Sequence, residues 1–213
     1  MPSTPKFIYF DLGNVLLHFD HAIACRKMAA LASTPQVEIT PQRVREVVFE
    51  SNLEHEFEAG AISGEEFYQA FCEATGTSPD MAALAVAASD IFRANISIKP
   101  LVGALISARV PIGILSNTNI WHWQLICDGR YRLIPDAFPV TALSFELTAM
   151  KPEPAIYLRA AELAGYAPGE IFYVDDLADN VVGAREAGFD AVQYTTTHDL
   201  ALELRKRGVR MNY

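Results

Sequence analysis

Basic residues are scarce in this 213-residue sequence, which has 17 lysines and arginines against 26 aspartates and glutamates and a formal net charge of −9. Binding to a nucleic-acid backbone requires a concentrated basic surface. The one basic cluster lies near the C-terminus: Arg205, Lys206, Arg207 and Arg210. Cations suit the end of a predicted last helix because of the helix dipole. We therefore expect no nucleic-acid partner.

Cysteines and long apolar runs are also rare. Cys25, Cys72 and Cys127 have no close pairing and no metal-ligand spacing, which is typical of thiols in a reducing compartment and disfavours structural zinc. No apolar run approaches the roughly 20 residues of a membrane-spanning helix. Residues 1–6 contain no apolar stretch like that of a signal peptide. We expect a cytoplasmic protein with no membrane partner.

Apolar residues make up 51% of the chain and charged residues 20%, as in ordinary globular proteins. Three apolar runs are typical of strands buried on both faces. Each run stops at small polar or acidic residues: 7–10 before Asp11, 112–115 before Ser116, and 171–174 before Asp175 and Asp176. In a parallel sheet these ends meet at the carboxyl edge, so one edge is expected to hold one site.

The order of helix and strand patterns predicts two domains. From about residue 100 strands and helices alternate, with weaker strand candidates at 140–142 and 191–194, which favours a doubly wound parallel, Rossmann-like α/β sheet. Helix-start signals at Thr40 and Ser63 instead predict an all-helical stretch. We therefore expect a catalytic core of residues 1–19 and 96–213, with an α-helical cap domain of residues 20–95 inserted after the first strand.

Several residues at the predicted edge suit phosphate chemistry. Asp11 precedes Gly13 and Asn14, where the backbone can turn sharply and present amide groups to an anion. Ser116, Asn117 and Thr118 offer hydroxyls and an amide to phosphate oxygens. Lys151 stands at the start of a predicted helix, where a cation is unfavourable unless an anion is near.

The adjacent carboxylates of Asp175 and Asp176 indicate a bound cation, since they repel each other unless a cation or a lysine neutralises them. Mg²⁺ prefers few carboxylates together with waters and substrate oxygens. Asp11, Asp176 and one backbone carbonyl are candidate ligands. Asp179 and Asn180, one turn further on, are candidates for orienting the waters or the lysine.

The order and spacing of these clusters resemble the haloacid dehalogenase-like hydrolase superfamily over nearly the whole chain. The four matching motifs are Asp11-Leu12-Gly13-Asn14-Val15, Ser116-Asn117, Lys151-Pro152, and Asp175-Asp176 with Asn180. The helical insertion resembles the family's smaller α-helical cap. The Gly-Asn-Val and Ser-Asn-Thr-Asn variants resemble a subgroup of sugar-phosphate phosphatases such as glucose-1-phosphate phosphatase.

The resemblance implies a magnesium-dependent phosphatase acting on a small phosphate ester, with Asp11 attacking phosphorus to form an aspartyl-phosphate that water hydrolyses. Ser116 would hold the phosphoryl oxygens, and Lys151 would steady both Asp11 and the transferring group. The Mg²⁺ ligands it implies are the carboxylates of Asp11 and Asp176 and the carbonyl of Gly13. Asn14 and Asn117 are further candidates for contact with the phosphate.

One position departs from the family's phosphatases, which carry a second aspartate as general acid and base two residues after the nucleophile; here that residue is Gly13. We hypothesise that His18 or Asp20 reaches the leaving oxygen instead. A good leaving group or slow turnover would also fit. Two other functions stay open: a 2-haloacid dehalogenase, disfavoured by the Asp175-Asp176 pair, and a catalytically weak regulatory or binding protein.

Other polar and aromatic residues are given structural interpretations. Glutamates recurring every four residues are expected to form the solvated face of one helix: Glu46, Glu50, Glu54 and Glu58, with His55 beside them. Trp121, His122 and Trp123 are expected to pack the helix after the second strand against the sheet or a partner subunit. His21 and His198 have no acidic partner at a catalytic spacing. Monomer and homodimer both stay open.

Overall fold

The computed structural model describes residues 4–213. We expected residues 1–6 not to form a signal peptide, and the first three of them lie outside the described residues. In chain order the elements are β1 (Phe7–Phe10), β2 (Leu17–Phe19), α1 (His21–Ala32), α2 (Pro41–Arg45), α3 (Leu53–Glu58), α4 (Gly64–Thr75), α5 (Met81–Ser89), β3 (Phe92–Ala94), α6 (Lys99–Ser107), β4 (Ile112–Ser116), α7 (Ile120–Ile126), β5 (Val140–Leu143), α8 (Ser144–Leu147), α9 (Pro154–Ala164), β6 (Ile171–Asp175), α10 (Ala178–Glu186), β7 (Asp190–Gln193) and α11 (Thr197–Lys206).

The central sheet is parallel and has the strand order β5-β4-β1-β6-β7. Both faces of β1 are buried: Ile8 and Phe10 pack into one apolar cluster, while Phe7 and Tyr9 pack into another. This burial explains the continuous apolar runs of the sequence. The predicted doubly wound α/β fold is confirmed, including the two weaker strands, and the carboxyl ends of β1, β4 and β6 are neighbours.

Helices α1 to α5 share a separate apolar cluster, which includes Met28, Phe57, Phe67 and Leu84. The two helix starts predicted from Thr40 and Ser63 are confirmed as the starts of α2 and α4. The Thr40 hydroxyl accepts a hydrogen bond from the Arg43 amide, and Ser63 forms a reciprocal capping box with Glu66. Burial of one apolar face on each helix stabilises this layer.

The sequence interpretation was wrong at two places in residues 20–95. Residues 92–94 form β3, which pairs antiparallel with β2, and the rings of Phe19 and Phe92 lie 6.1 Å apart across this ribbon. The glutamates do not share one helix. After α2 the chain forms a π-helical turn at Glu46–Glu50, and Asn52, in a left-handed conformation with φ of 74°, separates that turn from α3.

Among the described residues no helix combines the length and apolar character that crossing a bilayer requires. The cysteines Cys25, Cys72 and Cys127 are free thiols.

Candidate active site

Asp11 follows β1 directly and is almost completely buried, with 6% of its surface exposed. Its backbone amide donates to the carbonyl of Val174, which continues the pairing of β1 with β6. Its Oδ1 accepts hydrogen bonds from the Leu12 amide at 2.7 Å and from Lys151 Nζ at 2.8 Å. Both bonds end on Oδ1, while Oδ2 lies on the side of Gly13. One carboxylate oxygen is therefore held, and the other faces the turn.

The turn after Asp11 brings Asn14 to Asp176. Asn14 adopts a left-handed φ of 52°, which asparagine tolerates better than most residues, and its amide donates to the carbonyl of Leu17 at 2.7 Å. Its side-chain Nδ2 donates to Asp176 Oδ2 at 3.0 Å. The expected contact of this side chain with phosphate stays a prediction; in the structure the side chain binds a carboxylate.

Lys151 connects two of the carboxylates. Its Nζ lies 2.8 Å from Asp11 Oδ1, 2.7 Å from Asp175 Oδ2 and 3.0 Å from the Tyr173 hydroxyl, and its side chain is only 2% exposed. Burial alone would lower the pKa of Lys151, but the carboxylates of Asp11 and Asp175 outweigh it and raise that pKa. Lys151 is therefore a fixed cation. The anions that a lysine at a helix start requires are Asp11 and Asp175, at the edge of the sheet.

Asp175 is the most enclosed carboxylate of the site. Burial opposes its ionisation, but Lys151 and the hydroxyl of Tyr173 lower its pKa below the ordinary value. Asn180 Nδ2 donates to both carboxylate oxygens at 3.0 and 3.1 Å, and the Leu177 amide donates at 2.8 Å. Asn180 thus lies where the sequence indicated. Asp179 is exposed on the first turn of α10, outside this hydrogen-bonded cluster.

The cluster carries more negative than positive charge. Oxygens of Asp11, Asp175 and Asp176 all lie within 4.8 Å of one another, and Lys151 is the cation beside them. Burial raises the pKa of Asp11 to about 7, and the charges of Asp175 and Asp176 act in the same direction against Lys151. Burial also raises the pKa of Asp176. Such an arrangement favours a second, hard cation.

The end of β4 presents Ser116, and the loop after it holds Lys151. Ser116 is buried at the strand end. The Asn117 side chain is occupied on both sides: its Nδ2 donates to the Lys151 carbonyl at 3.0 Å, and its Oδ1 accepts from the Lys151 amide at 2.9 Å. We expected this amide to bind phosphate oxygens. That contact stays a prediction; in the structure the amide fixes the backbone of Lys151.

A cavity of about 50 Å³ lies between the sheet edge and the helical layer. Residues from both sides line it: Leu12, Gly13, Ser116, Asn117 and Thr118 from the sheet loops, with Phe19, His21, Glu58, Ile91, Phe92 and His122 opposite. Sequence reasoning missed Glu58, His21 and His122. No spacing in the chain could have found them, because packing of α1, α3 and α7 alone brings them together.

Glu54 and Glu58 are not on a solvated face, which corrects our interpretation of the glutamate repeat. Glu54 is 13% exposed, and its Oε1 accepts a hydrogen bond from Asn119 Nδ2 at 2.9 Å. Burial raises the pKa of Glu54 to about 8 and that of Glu58 to about 7. Burial lowers the pKa of His122 to about 3, so its 3.9 Å contact with Glu54 is not an ion pair.

The other expectations for this region also changed. His18 is exposed on β2, and Asp20 caps α1 by accepting from the Ala22 amide at 2.8 Å; both lie outside the described residues that line the cavity. Trp121 packs edge-on to Phe57 and Phe67 in the helical layer and not against the sheet, whereas Trp123 packs against the sheet's apolar cluster as expected. The sequence could not predict this contact of Trp121, because the contact depends on how the helical layer is placed on the sheet.

The model of the haloacid dehalogenase-like hydrolases matches residues 5–188. The chain belongs to this family of hydrolases.

Individual relatives of this haloacid dehalogenase-like hydrolase are distant in sequence. A D-ribitol-5-phosphate phosphatase from Bacteroides thetaiotaomicron is 24% identical over 204 residues, which cover 93% of this chain and 96% of the relative. A haloacid dehalogenase family enzyme from the same organism, crystallised with magnesium and inorganic phosphate, is 26% identical with a TM-score of 0.77, covering 90% of this chain and 95% of that one. A 2-haloacid dehalogenase from Pseudomonas syringae pv. tomato shares the fold at 19% identity, with a TM-score of 0.61 and 96% and 99% coverage.

Phe19 occupies the space beside Gly13 in this hydrolase. A Cβ atom on Gly13 would lie 2.9 Å from Phe19 Cε1 and 3.8 Å from Asp11 Oδ2. The first distance is shorter than side-chain carbons tolerate. A side chain at position 13 would therefore require the Phe19 ring to shift, and because Gly13 has no side chain any proton donor must come from elsewhere.

Proposed function

We propose that this hydrolase is a magnesium-dependent phosphatase of small phosphorylated metabolites, with a sugar or sugar-alcohol phosphate as substrate class. The observation that carries the proposal is Lys151 Nζ, which lies 2.8 Å from Asp11 and 2.7 Å from Asp175 at the carboxyl edge of the sheet. A buried lysine between two carboxylates, with a serine at the next strand end, suits the binding and transfer of a phosphoryl group.

The residues present fit a magnesium ion. Asp11 and Asp176 offer carboxylate oxygens within one cluster, and Asn14 holds the Asp176 side chain. We propose these two carboxylates and the Gly13 carbonyl as protein ligands, with Asp175 and Asn180 positioning Lys151. Bound there, Mg²⁺ would neutralise charge on the transferring phosphoryl group.

The protein's own groups account for most of the remaining chemistry. The Asp11 carboxylate attacks phosphorus and forms an aspartyl-phosphate, which water then hydrolyses. The Ser116 hydroxyl binds a phosphoryl oxygen. Lys151 favours the ionised form of Asp11 against the effect of burial and orients it, and it stabilises negative charge that develops on the phosphoryl oxygens. Asn117, through its two bonds to the Lys151 backbone, maintains the position of that cation.

Substrate choice is proposed to lie with the cap, which we assign to residues 20–95, the catalytic core being residues 1–19 and 96–213. The cavity of about 50 Å³ is small beside the several hundred cubic ångströms of typical ligand pockets. The cap would therefore open to admit substrate. A relative named for ribitol 5-phosphate supports the polyol-phosphate class, and an anomeric phosphate such as glucose 1-phosphate is a second member to test.

The test is hydrolysis of ribitol 5-phosphate, glucose 1-phosphate and 4-nitrophenyl phosphate, with and without magnesium, by wild type and Asp11→Asn. We expect magnesium-dependent phosphate release that the substitution abolishes. Release of halide from a 2-haloacid without metal would identify a dehalogenase instead. Tight binding of these esters without turnover would identify a regulatory or binding protein.

A further inference from the structure

Glu58 is the carboxyl group that the helical layer contributes to the cavity over Gly13 and Ser116. Gly13 carries no proton donor, and Phe19 fills the neighbouring space. A group that donates a proton to a leaving oxygen must share the cavity with the phosphoryl site. Among the described residues that line this cavity, Glu58 is the only carboxylic acid.

Glu58 is held in register with the phosphoryl site. The Ser144 hydroxyl donates to the Glu58 carbonyl at 2.6 Å and accepts from the Thr118 amide at 2.9 Å. The end of α3 is thereby joined to the loop that follows Ser116. The backbone at Glu58 is therefore fixed against that loop.

The surroundings of Glu58 suit proton transfer at neutral pH. Four titratable groups lie around it on other turns or elements: Glu54 on α3, His21 on α1, His122 on α7, and Lys151 in the loop before α9. Burial raises the pKa of Glu58 to about 7, and Lys151 opposes the rise. Burial lowers the pKa of both histidines. The Glu58 carboxyl group is thus partly protonated near neutral pH.

We propose that Glu58 is the general acid and base of this hydrolase, in place of the side chain absent at Gly13; the inference rests on the proposed phosphatase function. In the first step an Asp11 oxygen bonds to phosphorus, the ester oxygen leaves, and that oxygen takes the Glu58 proton. In the second step water attacks phosphorus and gives a proton to the Glu58 carboxylate. The bond between Asp11 and phosphorus then breaks, and both residues regain their starting states.

The test compares Glu58→Gln with wild type on two esters that differ in leaving group. With ribitol 5-phosphate, whose alkoxide must be protonated, we expect kcat to fall about 10²- to 10⁴-fold. With 4-nitrophenyl phosphate, whose phenolate leaves without a proton, we expect a burst of nitrophenolate followed by slow turnover, with phosphorylated protein accumulating. Glu58→Asp, which keeps a carboxyl group, should recover part of the loss.

Glu56→Gln is the matched control, since Glu56 is exposed on the same helix, and it should behave as wild type. The inference is overturned if Glu58→Gln matches that control on ribitol 5-phosphate, or if both esters slow equally without phosphoenzyme. It is also overturned if His21→Gln, and not Glu58→Gln, shows the burst. A wild type inactive on every ester would overturn the proposed function itself, which separates the two failures.

Discussion

Lys151 is a single cation among three buried or half-buried carboxylates, and its removal tests the electrostatic account at one residue. Lys151→Met would leave Asp11 and Asp175 without their ion pair. Breaking a buried pair in this way costs about 3–5 kcal/mol, so we expect the free energy of unfolding in urea to fall by that order. Phosphate release should fall about 10²-fold or more.

Lys6→Met provides the control for that substitution. Lys6 pairs with Glu170 at 2.6 Å on the surface, and exposed pairs contribute little to stability. Equal urea midpoints for Lys151→Met and Lys6→Met would show that burial makes no difference to the strength of the ion pair.

Gly13 and Phe19 form a second residue-scale test. Gly13→Asp would place a new Cβ 2.9 Å from the present position of Phe19 Cε1, so the single substitution should impair activity. Adding Phe19→Ala removes the obstacle. We expect the double variant to exceed Gly13→Asp in kcat/KM for ribitol 5-phosphate; a gain from Gly13→Asp alone would show that the ring does not control this space.

At the scale of elements, the strand ends could be predicted from the sequence, and the contacts between loops and helices could not. Strand ends were predictable because apolar runs stop at Asp11, Ser116 and Asp175, and parallel strands bring such ends together. The partners of individual amides were not. Asn14 binds Asp176, and Asn117 binds the Lys151 backbone, because loops far apart in sequence meet. Glu58 was misjudged for the same reason.

Glu54 on α3 makes stability depend on pH. Its pKa rises on folding from 4.5 to about 8, mainly because of burial and secondly because of the negative charge of Glu58. A carboxyl group with a raised folded pKa stabilises most below its unfolded pKa, and that contribution is lost as pH rises through the folded value. Glu54→Gln lacks this titration and keeps an oxygen that can accept from Asn119.

We therefore expect Glu54→Gln to gain stability relative to wild type between about pH 5 and pH 8, by on the order of 1–3 kcal/mol. Urea unfolding at several pH values measures the difference. Glu56→Gln, which alters an exposed carboxylate on the same helix, should show little trend. A constant difference for Glu54→Gln would mean that Glu54 is ionised in the folded protein.

For the whole molecule, binding of magnesium at the sheet edge should stabilise the fold. A ligand that binds only the folded state adds about 2.7 kcal/mol at 100 times its Kd. We expect Mg²⁺ to raise the Tm of wild type and not that of Asp176→Asn, while Asp179→Asn keeps the rise because Asp179 is exposed outside the cluster. Equal rises in all three proteins would place the ion elsewhere.

Trp121 and Ser144 connect the helical layer of α1 to α5 with the core. Trp121 extends from α7 into the cap's apolar cluster, and Ser144 joins the end of α3 to the loop after β4. Glu58 thus lies in the same cavity as Gly13 and Ser116, and the helical layer limits the access of bulk water to Asp11. The covalent intermediate is expected to form inside this enclosure.

The identity of the phosphorylated residue decides whether Asp11 is the nucleophile. Wild type and Glu58→Gln would be mixed with 4-nitrophenyl phosphate and magnesium, quenched in acid, digested and analysed by mass spectrometry. We predict a phosphoryl group on Asp11, more abundant in Glu58→Gln and absent in Asp11→Asn. Phosphate release by wild type without modification of Asp11, or turnover persisting in Asp11→Asn, would show that Asp11 is not the nucleophile.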